Sequence, residues 1–182
     1  MQMRLQRNFW LLLMAGLLVS VQPVHADECF NMFTEAGVEF SSAREAINQK
    51  DYGRAAELYE QAGQYYEEVA NMTNCSHPEI QGTAQKNVKI SRDAAAGAKL
   101  AAQYMVAMEK YDEGNAYTRN REWDPAVAAY LEAAQIWEQI GSATQSELGK
   151  NALESAQLAR DGAKSAQLAR DAAWKASGLQ NQ

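Results

Sequence analysis

Apolar and small residues recur along this chain at the spacing of an α-helix, and one such stretch occurs twice. Aromatic, small, aromatic and small residues stand at i, i+3, i+7 and i+10, which places them on one helical face. The two copies lie 71 positions apart. Their members are Tyr52, Ala55, Tyr59 and Ala62 in the first copy and Trp123, Ala126, Tyr130 and Ala133 in the second. A repeated face of this kind suits close helix packing, so the sequence predicts stacked helical hairpins.

The periodicity predicts an all-α fold with about five helices, one or two of them long. Strand signals are missing, because no run alternates polar and apolar residues between hairpin turns. The expected helices cover about 29–49, 52–72, 78–120, 124–140 and 144–176. Gly97 and Gly114 are places where the third helix could break, so its continuity stays open. Pro78 and Pro125 mark helix starts, and Asp124 is the expected N-cap before the second proline.

The duplication extends beyond the motif and relates the segments of about 29–104 and 105–176. Lys86-Asn87 and Lys150-Asn151 match at a smaller shift of 64, which indicates a shorter connection in the second half.

Most apolar positions are expected to form the core. In the first helix the residues expected to face inward are Phe30, Phe33, Val38, Phe40, Ala43 and Ile47. Tyr66 and Trp137, which are equivalent, are expected to fill the space between helical layers. Trp174, a lone aromatic residue near the C-terminus, either docks the tail or belongs to a contact patch.

The repeated motif resembles the tetratricopeptide repeat, whose second helix carries aromatic and alanine residues at the same intervals. In the second copy, Gly114 and Tyr117 also look like that family's small and aromatic positions on the first helix. Ala43 and Ala46 stand there in the first copy, and the usual closing proline is missing from both. The resemblance implies antiparallel helical hairpins, arranged as an α-solenoid or an elongated bundle.

The first 26 residues have the pattern of a cleavable secretory signal peptide. Arg4 and Arg7 give a positive start, a short apolar run follows, and Val24 and Ala26 stand at −3 and −1 of a cleavage site. The apolar run is too short for a membrane-spanning helix. We therefore expect a periplasmic or secreted protein whose mature part, 27–182, forms a single domain.

Charge limits the classes of partner. Cleavage would remove Arg4 and Arg7 and lower the formal net charge from −6 to −8. An acidic chain without clusters of Lys and Arg argues against nucleic acid and against anionic membrane surfaces as partners. No second long apolar stretch follows, so we expect no membrane span after cleavage.

The two cysteines, Cys29 and Cys75, are expected to form a disulfide, because an exported protein with an even number of cysteines usually pairs them. If the first two helices form a hairpin, both cysteines lie at its open end, where a bridge would clamp it. A redox or metal pair is less favoured, since there is no CxxC motif and only His77 is nearby.

Chemistry-bearing motifs are scarce, and we expect no enzyme activity, no cofactor and no metal. His77 is the one histidine of the mature part. No haem-attachment, nucleophile-elbow, phosphate-loop or dinucleotide-binding motif occurs in the sequence.

These features favour a non-enzymatic binding module or adaptor in the cell envelope, whose partner is another protein or a peptide. In the family that the motif resembles, the first helices of the hairpins line a concave groove. The main matching residues are Phe40, Arg44 and Asn48 in the first copy and Tyr111, Asn115 and Arg119 in the second. The guanidinium groups of the two arginines and the amide groups of the two asparagines would bind a peptide carboxylate or backbone.

Three alternatives stay open. An inhibitor or immunity-type protein would neutralise a toxin or enzyme that acts on the envelope, and an acidic surface suits a basic target. A self-assembling structural protein would form homo-oligomers through Ala-rich helices such as 144–176. A carrier would hold a small apolar ligand between helices.

Overall fold

The computed structural model describes residues 25–178, so the predicted signal peptide lies outside the described residues except for its last two. Five helices make up almost all of this part of the chain, which contains no strand, as predicted. They are α1 (His25–Asn48), α2 (Tyr52–Asn71), α3 (Pro78–Asn120), α4 (Trp123–Ala143) and α5 (Glu147–Ala176). None of these helices is both long enough and apolar enough to cross a membrane.

The helices pack in chain order, each against the next. α1 lies on α2, α2 on the first half of α3, the second half of α3 on α4, and α4 on α5. Direct contact between α1 and α3, and between α3 and α5, is much smaller. The fold is therefore a series of helical hairpins that share one long helix.

That long helix, α3, is continuous over 43 residues, a length of about 65 Å at 1.5 Å per residue. Neither candidate glycine breaks it. Gly97 has open space where a Cβ atom would stand, whereas a Cβ at Gly114 would lie 2.8 Å from the ring of Tyr130. Gly114 therefore allows the close approach of α4 rather than a break in α3.

α3 belongs to two three-helix units at once. Unit 1 consists of α1, α2 and residues 78–98, and unit 2 consists of residues 99–120 with α4 and α5. The turn between the first and second helix has the same conformation in both units. Lys50 and Arg121, which are 71 positions apart, are both left-handed, with φ of 61° and 64°. The next residue is the N-cap of the second helix in each unit, so Glu122 and not Asp124 caps α4.

Two aromatic pairs recur in both units at the same 71-residue shift. Phe40 meets Tyr59 edge to face with 4.9 Å between ring centres, and the equivalent rings of unit 2 are 5.3 Å apart. The pairs are Phe33–Tyr66 and Phe40–Tyr59 in unit 1, and Tyr104–Trp137 and Tyr111–Tyr130 in unit 2. Tyr66 and Trp137 are buried, as predicted. The second helix of each unit is thus held on the first by two ring contacts, one toward each end.

The third helices match at a shift of 68, not at the 64 that the Lys-Asn pairs suggested. At 68, each buried residue of α3 in unit 1 falls on a buried residue of α5. The pairs are Ala84 with Ala152, Ser91 with Ala159, Ala95 with Ala163 and Ala98 with Ala166. The ion pair of Arg92 with Glu67 recurs as Arg160 with Glu138. The lysines that suggested 64 are exposed, so packing does not fix their register.

Two residues expected in the core lie on the surface instead. Phe30 and Val38 of α1 are 54% and 59% exposed. The stripe of α1 that packs on the other helices of unit 1 runs through Cys29, Phe33, Ala36, Phe40, Ala43 and Ile47. Phe30 and Val38 lie at least about 100° around the helix from the middle of this stripe, so they cannot reach α2.

A disulfide joins Cys29, at the start of α1, to Cys75 in the connection between α2 and α3, as predicted. Cys29 is fully buried and lies in the same core cluster as Tyr66 and Val69. The bridge fixes the open end of the first hairpin. Unit 2 has no counterpart, because Leu100 occupies the position of Cys29.

The end of α5 departs from the repeat. At the 68-residue shift, Ala172 and Lys175 stand where α3 has Tyr104 and Ala107, which contact α4 in the unit 2 core. Alanine in place of Tyr104 removes a ring contact. Lysine in place of Ala107 puts a charge at a position that is fully buried in α3. The end of α5 therefore lacks the features with which α3 receives the second helix of unit 2.

Candidate functional site

A shallow, largely apolar groove runs along α1, on the side turned away from α2. Its volume is about 630 Å³. It is lined by Phe30, Phe33, Thr34, Gly37, Val38, Ser41, Ser42 and Glu45. We call this surface the outer face of α1. It contains both residues that were expected in the core, so their hydrophobic side chains are left for water or for a partner.

Small residues make the middle of the outer face low and smooth. Thr34 Oγ1 donates a hydrogen bond to the carbonyl oxygen of Phe30, and Ser41 Oγ donates one to that of Gly37, each at 2.9 Å. Because both hydroxyls are satisfied within the helix, they need no further hydrogen-bond acceptor when the face is covered. Gly37 has no side chain between them. The face is therefore compatible with the close approach of another helix.

Charges flank the outer face unequally. Glu35 and Glu45 lie on either side of Val38 along one edge, and neither forms an ion pair among residues 25–178. Glu45 accepts a long hydrogen bond of 3.4 Å from Gln49 Nε2. The other edge carries one cation, Arg44. The edge of the groove beside Val38 is consequently acidic.

The equivalent face of unit 2 is also apolar, although its residues differ. Thr34 corresponds to Met105 and Gly37 to Met108, and these methionines are 39% and 37% exposed. Val38 corresponds to Glu109, so the apolar residues of this face stand at different positions in the two units. Exposed apolar surface on the outer side of the first helix is thus common to both units.

Three of the residues predicted to bind a partner already have partners within the fold. Phe40 contacts Tyr59, and Tyr111 contacts both Tyr130 and Trp137. Asn115 Oδ1 accepts a hydrogen bond of 2.8 Å from Tyr130 Oη. These side chains support the second helices of the two units.

The other three predicted binding residues, Arg44, Asn48 and Arg119, are exposed. On α1, Arg44 lies beside the outer face, and Asn48 lies in line with Phe30 and Ser41 along the helix. Arg119 is the unit 2 equivalent of Asn48 and lies on α3. The structure therefore places the two predicted groups on equivalent faces of different helices, and their role in binding stays a prediction.

Phe30 and Val38 are surface residues that apolar character alone assigned to the core. A stricter signal was available. The residues 29, 33, 36, 40, 43 and 47 form one stripe at alternating spacings of three and four, and neither Phe30 nor Val38 belongs to it.

Other parts of the described chain offer little chemistry. No group of three His, Cys, Asp or Glu side chains within it could hold a metal ion. His77 Nδ1 lies 3.1 Å from Glu79 Oε1 at the surface. Burial raises the pKa of the Tyr66 phenol, and a hydrogen bond with Asn87 acts in the opposite direction. Trp174 is exposed, with the Arg170 guanidinium 6.0 Å from its ring centre.

A small cleft of about 160 Å³ lies where the three helices of unit 1 meet, lined by Phe40, Tyr66, Asn87 and Ile90. It is far smaller than the groove on α1, and its rings are engaged in packing.

Comparisons with protein-family models, with curated proteins and with solved structures find no match to this chain.

Proposed function

We propose that this protein is a non-enzymatic binding module or adaptor of the bacterial cell envelope, and that it holds another protein on the outer face of α1. The observation that carries the proposal is the exposure of Phe30 and Val38 above a smooth groove. Full burial of such side chains stabilises a complex by about 1.5–3 kcal/mol each. Because each is already close to half buried, a partner would gain on the order of 1 kcal/mol per side chain.

Two sequence features support an envelope location. The predicted signal peptide would export the chain, and the disulfide suits an oxidising compartment. The likeness of the repeated motif to tetratricopeptide repeats supports a binding role, since such helical hairpins mostly hold other proteins.

The test is an affinity capture with residues 27–182 as bait, from envelope extract of the native host, analysed by mass spectrometry. Three baits are compared: the native sequence, Val38→Asp, and Leu168→Asp as the matched control. Leu168 is 62% exposed on α5, so both substitutions place a carboxylate at an exposed apolar position. Circular dichroism checks that both variants keep their helical content.

We expect one protein to be enriched by the native and Leu168→Asp baits and lost from the Val38→Asp bait. Equal recovery by all three baits would rule out the outer face of α1 as the binding surface. Assaying the captured protein with and without this chain then separates an adaptor from an inhibitor, because only an inhibitor abolishes its activity.

A further inference from the structure

We infer that the segment bound on the outer face of α1 is a basic amphipathic helix of a partner protein; this inference rests on the proposed function. The shape of the face is the first reason. Thr34, Gly37 and Ser41 follow one another at spacings of three and four along α1, between the exposed Phe30 and Val38. Small residues bordered by larger apolar ones form a shallow groove into which the ridge of a second helix fits.

Charge is the second reason, and it is independent of shape. Glu35 and Glu45, which flank Val38, are carboxylates without an ion pair in the part of the chain that the structure describes. Arg44 is the one cation among the described side chains of α1. A helix with apolar residues on one side and Lys or Arg beside them would cover Phe30 and Val38 and neutralise this edge.

A second copy of this chain fits the same face poorly. Each copy would bring two unpaired carboxylates and one guanidinium to the contact, and each mature chain would carry a net charge of −8 once Arg4 and Arg7 are removed from the total of −6. At least two carboxylates would stay uncompensated between the two faces. Like charges in a contact cost binding free energy, so the acidic edge favours a basic partner over self-association.

Synthetic peptides test this inference directly. Two 18-residue helical peptides share one leucine stripe and differ only in carrying Lys or Glu on the polar side. Their affinities for residues 27–182 are measured by fluorescence anisotropy. We expect the Lys peptide to bind at least about tenfold more tightly than the Glu peptide. Val38→Asp should weaken binding of the Lys peptide about tenfold, whereas Leu168→Asp should leave it unchanged. Equal binding of the two peptides would overturn the inference.

Charge reversal separates the acidic edge from the net charge of the molecule. The variant Glu35→Lys with Glu45→Lys is compared with Glu57→Lys with Glu154→Lys, whose two sites are exposed on α2 and α5. Both variants change the net charge equally. We expect only the first to lose affinity for the Lys peptide and to show a weaker salt dependence. Equal losses would mean that only net charge attracts the peptide, which would refute the site.

Two further results decide the occupant. A basic helix should bind Arg44→Ala at least as tightly as the native chain; weaker binding would indicate instead that Arg44 holds an acidic group. Sedimentation that finds a dimer abolished by Val38→Asp would make a second copy the occupant and overturn the inference. Loss of the captured envelope protein from Val38→Asp, without any preference for the Lys peptide, would refute the basic helix and leave the proposed function standing.

Discussion

At the scale of single residues, the two units place different amino acids at the position where the second helix packs most closely on the first. Ala43 and Gly114 are equivalent, and each lies beneath the second helix of its unit. Ala43 is fully buried in the same core cluster as Tyr59, whereas the ring of Tyr130 lies directly on Gly114. The unit 2 helices are therefore intolerant of any side chain at this point.

Gly114→Ala should consequently destabilise the protein, although alanine is the better helix former. The new Cβ atom would lie 2.8 Å from two carbons of the Tyr130 ring, so the ring or α4 must shift. We expect a loss of about 1–3 kcal/mol in the free energy of unfolding, measured by urea denaturation. Gly97→Ala is the control, because its Cβ meets open space and should stabilise by about 0.5–1 kcal/mol. A stabilising effect of Gly114→Ala would show that the ring moves freely.

Asn115 and Arg44 are equivalent in the repeat and should respond differently to alanine. Asn115→Ala removes the acceptor of the 2.8 Å hydrogen bond from the buried Tyr130 hydroxyl, and we expect a loss of about 1–2 kcal/mol in stability. Arg44→Ala changes an exposed side chain and should stay within about 0.5 kcal/mol. The free energy of coupling between the two side chains is measured by comparing the double variant, Asn115→Ala with Tyr130→Phe, with the two single variants. If the two losses add fully, the bond does not contribute to stability.

At the scale of helices, the disulfide makes the two units differ in how their first helix is held. The bridge spans 46 positions, and in the chain-entropy model its loss should cost about 4 kcal/mol. We therefore expect Cys29→Ala with Cys75→Ala to lower the midpoint of urea unfolding. Hydrogen exchange should speed up in α1 while α4 and α5 keep their protection. Uniform acceleration in all helices would show instead that the bridge stabilises the fold globally.

The five helices and the aromatic positions of the second helices were predictable, because they depend on local periodicity that the sequence repeats. The continuity of α3 was not, since a glycine that permits close packing and a glycine that ends a helix look alike in sequence. The shift of 68 was hidden because alanines carry the register of the third helices, and alanine is common throughout. Of the candidate binding residues, the exposure of Arg44 and Asn48 followed from their helical positions. The bond from Tyr130 to Asn115 depends on tertiary packing and could not be read from one helix.

At the scale of the whole molecule, α3 is the element that connects the units, since α2 and α4 pack on successive parts of it and make no contact with each other. Gly97 lies close to the boundary between these parts. Gly97→Pro should break the helix there, at a cost of about 3 kcal/mol or more, and uncouple the units.

Spectroscopy can follow the two units separately. In residues 27–182 the three tryptophans, Trp123, Trp137 and Trp174, all lie in unit 2, so the tryptophan fluorescence of this part of the chain reports unit 2, while circular dichroism reports both units. For the native chain and Gly97→Ala we expect the two signals to change together during urea unfolding. For Gly97→Pro we expect two transitions, with fluorescence following only one of them. Coincident signals in the proline variant would mean that contacts other than α3 couple the units.

The continuity of α3 also fixes the angle between the outer faces of the two units by the number of residues that separate them. Each residue of an α-helix contributes a rotation of about 100° and a rise of 1.5 Å. Inserting one residue between Ala98 and Lys99 would therefore turn unit 2 by more than a quarter of a revolution, whereas inserting seven would return it to within about 20° of its original direction. A partner that touches both faces would distinguish such chains, even though every contact within each unit is unchanged.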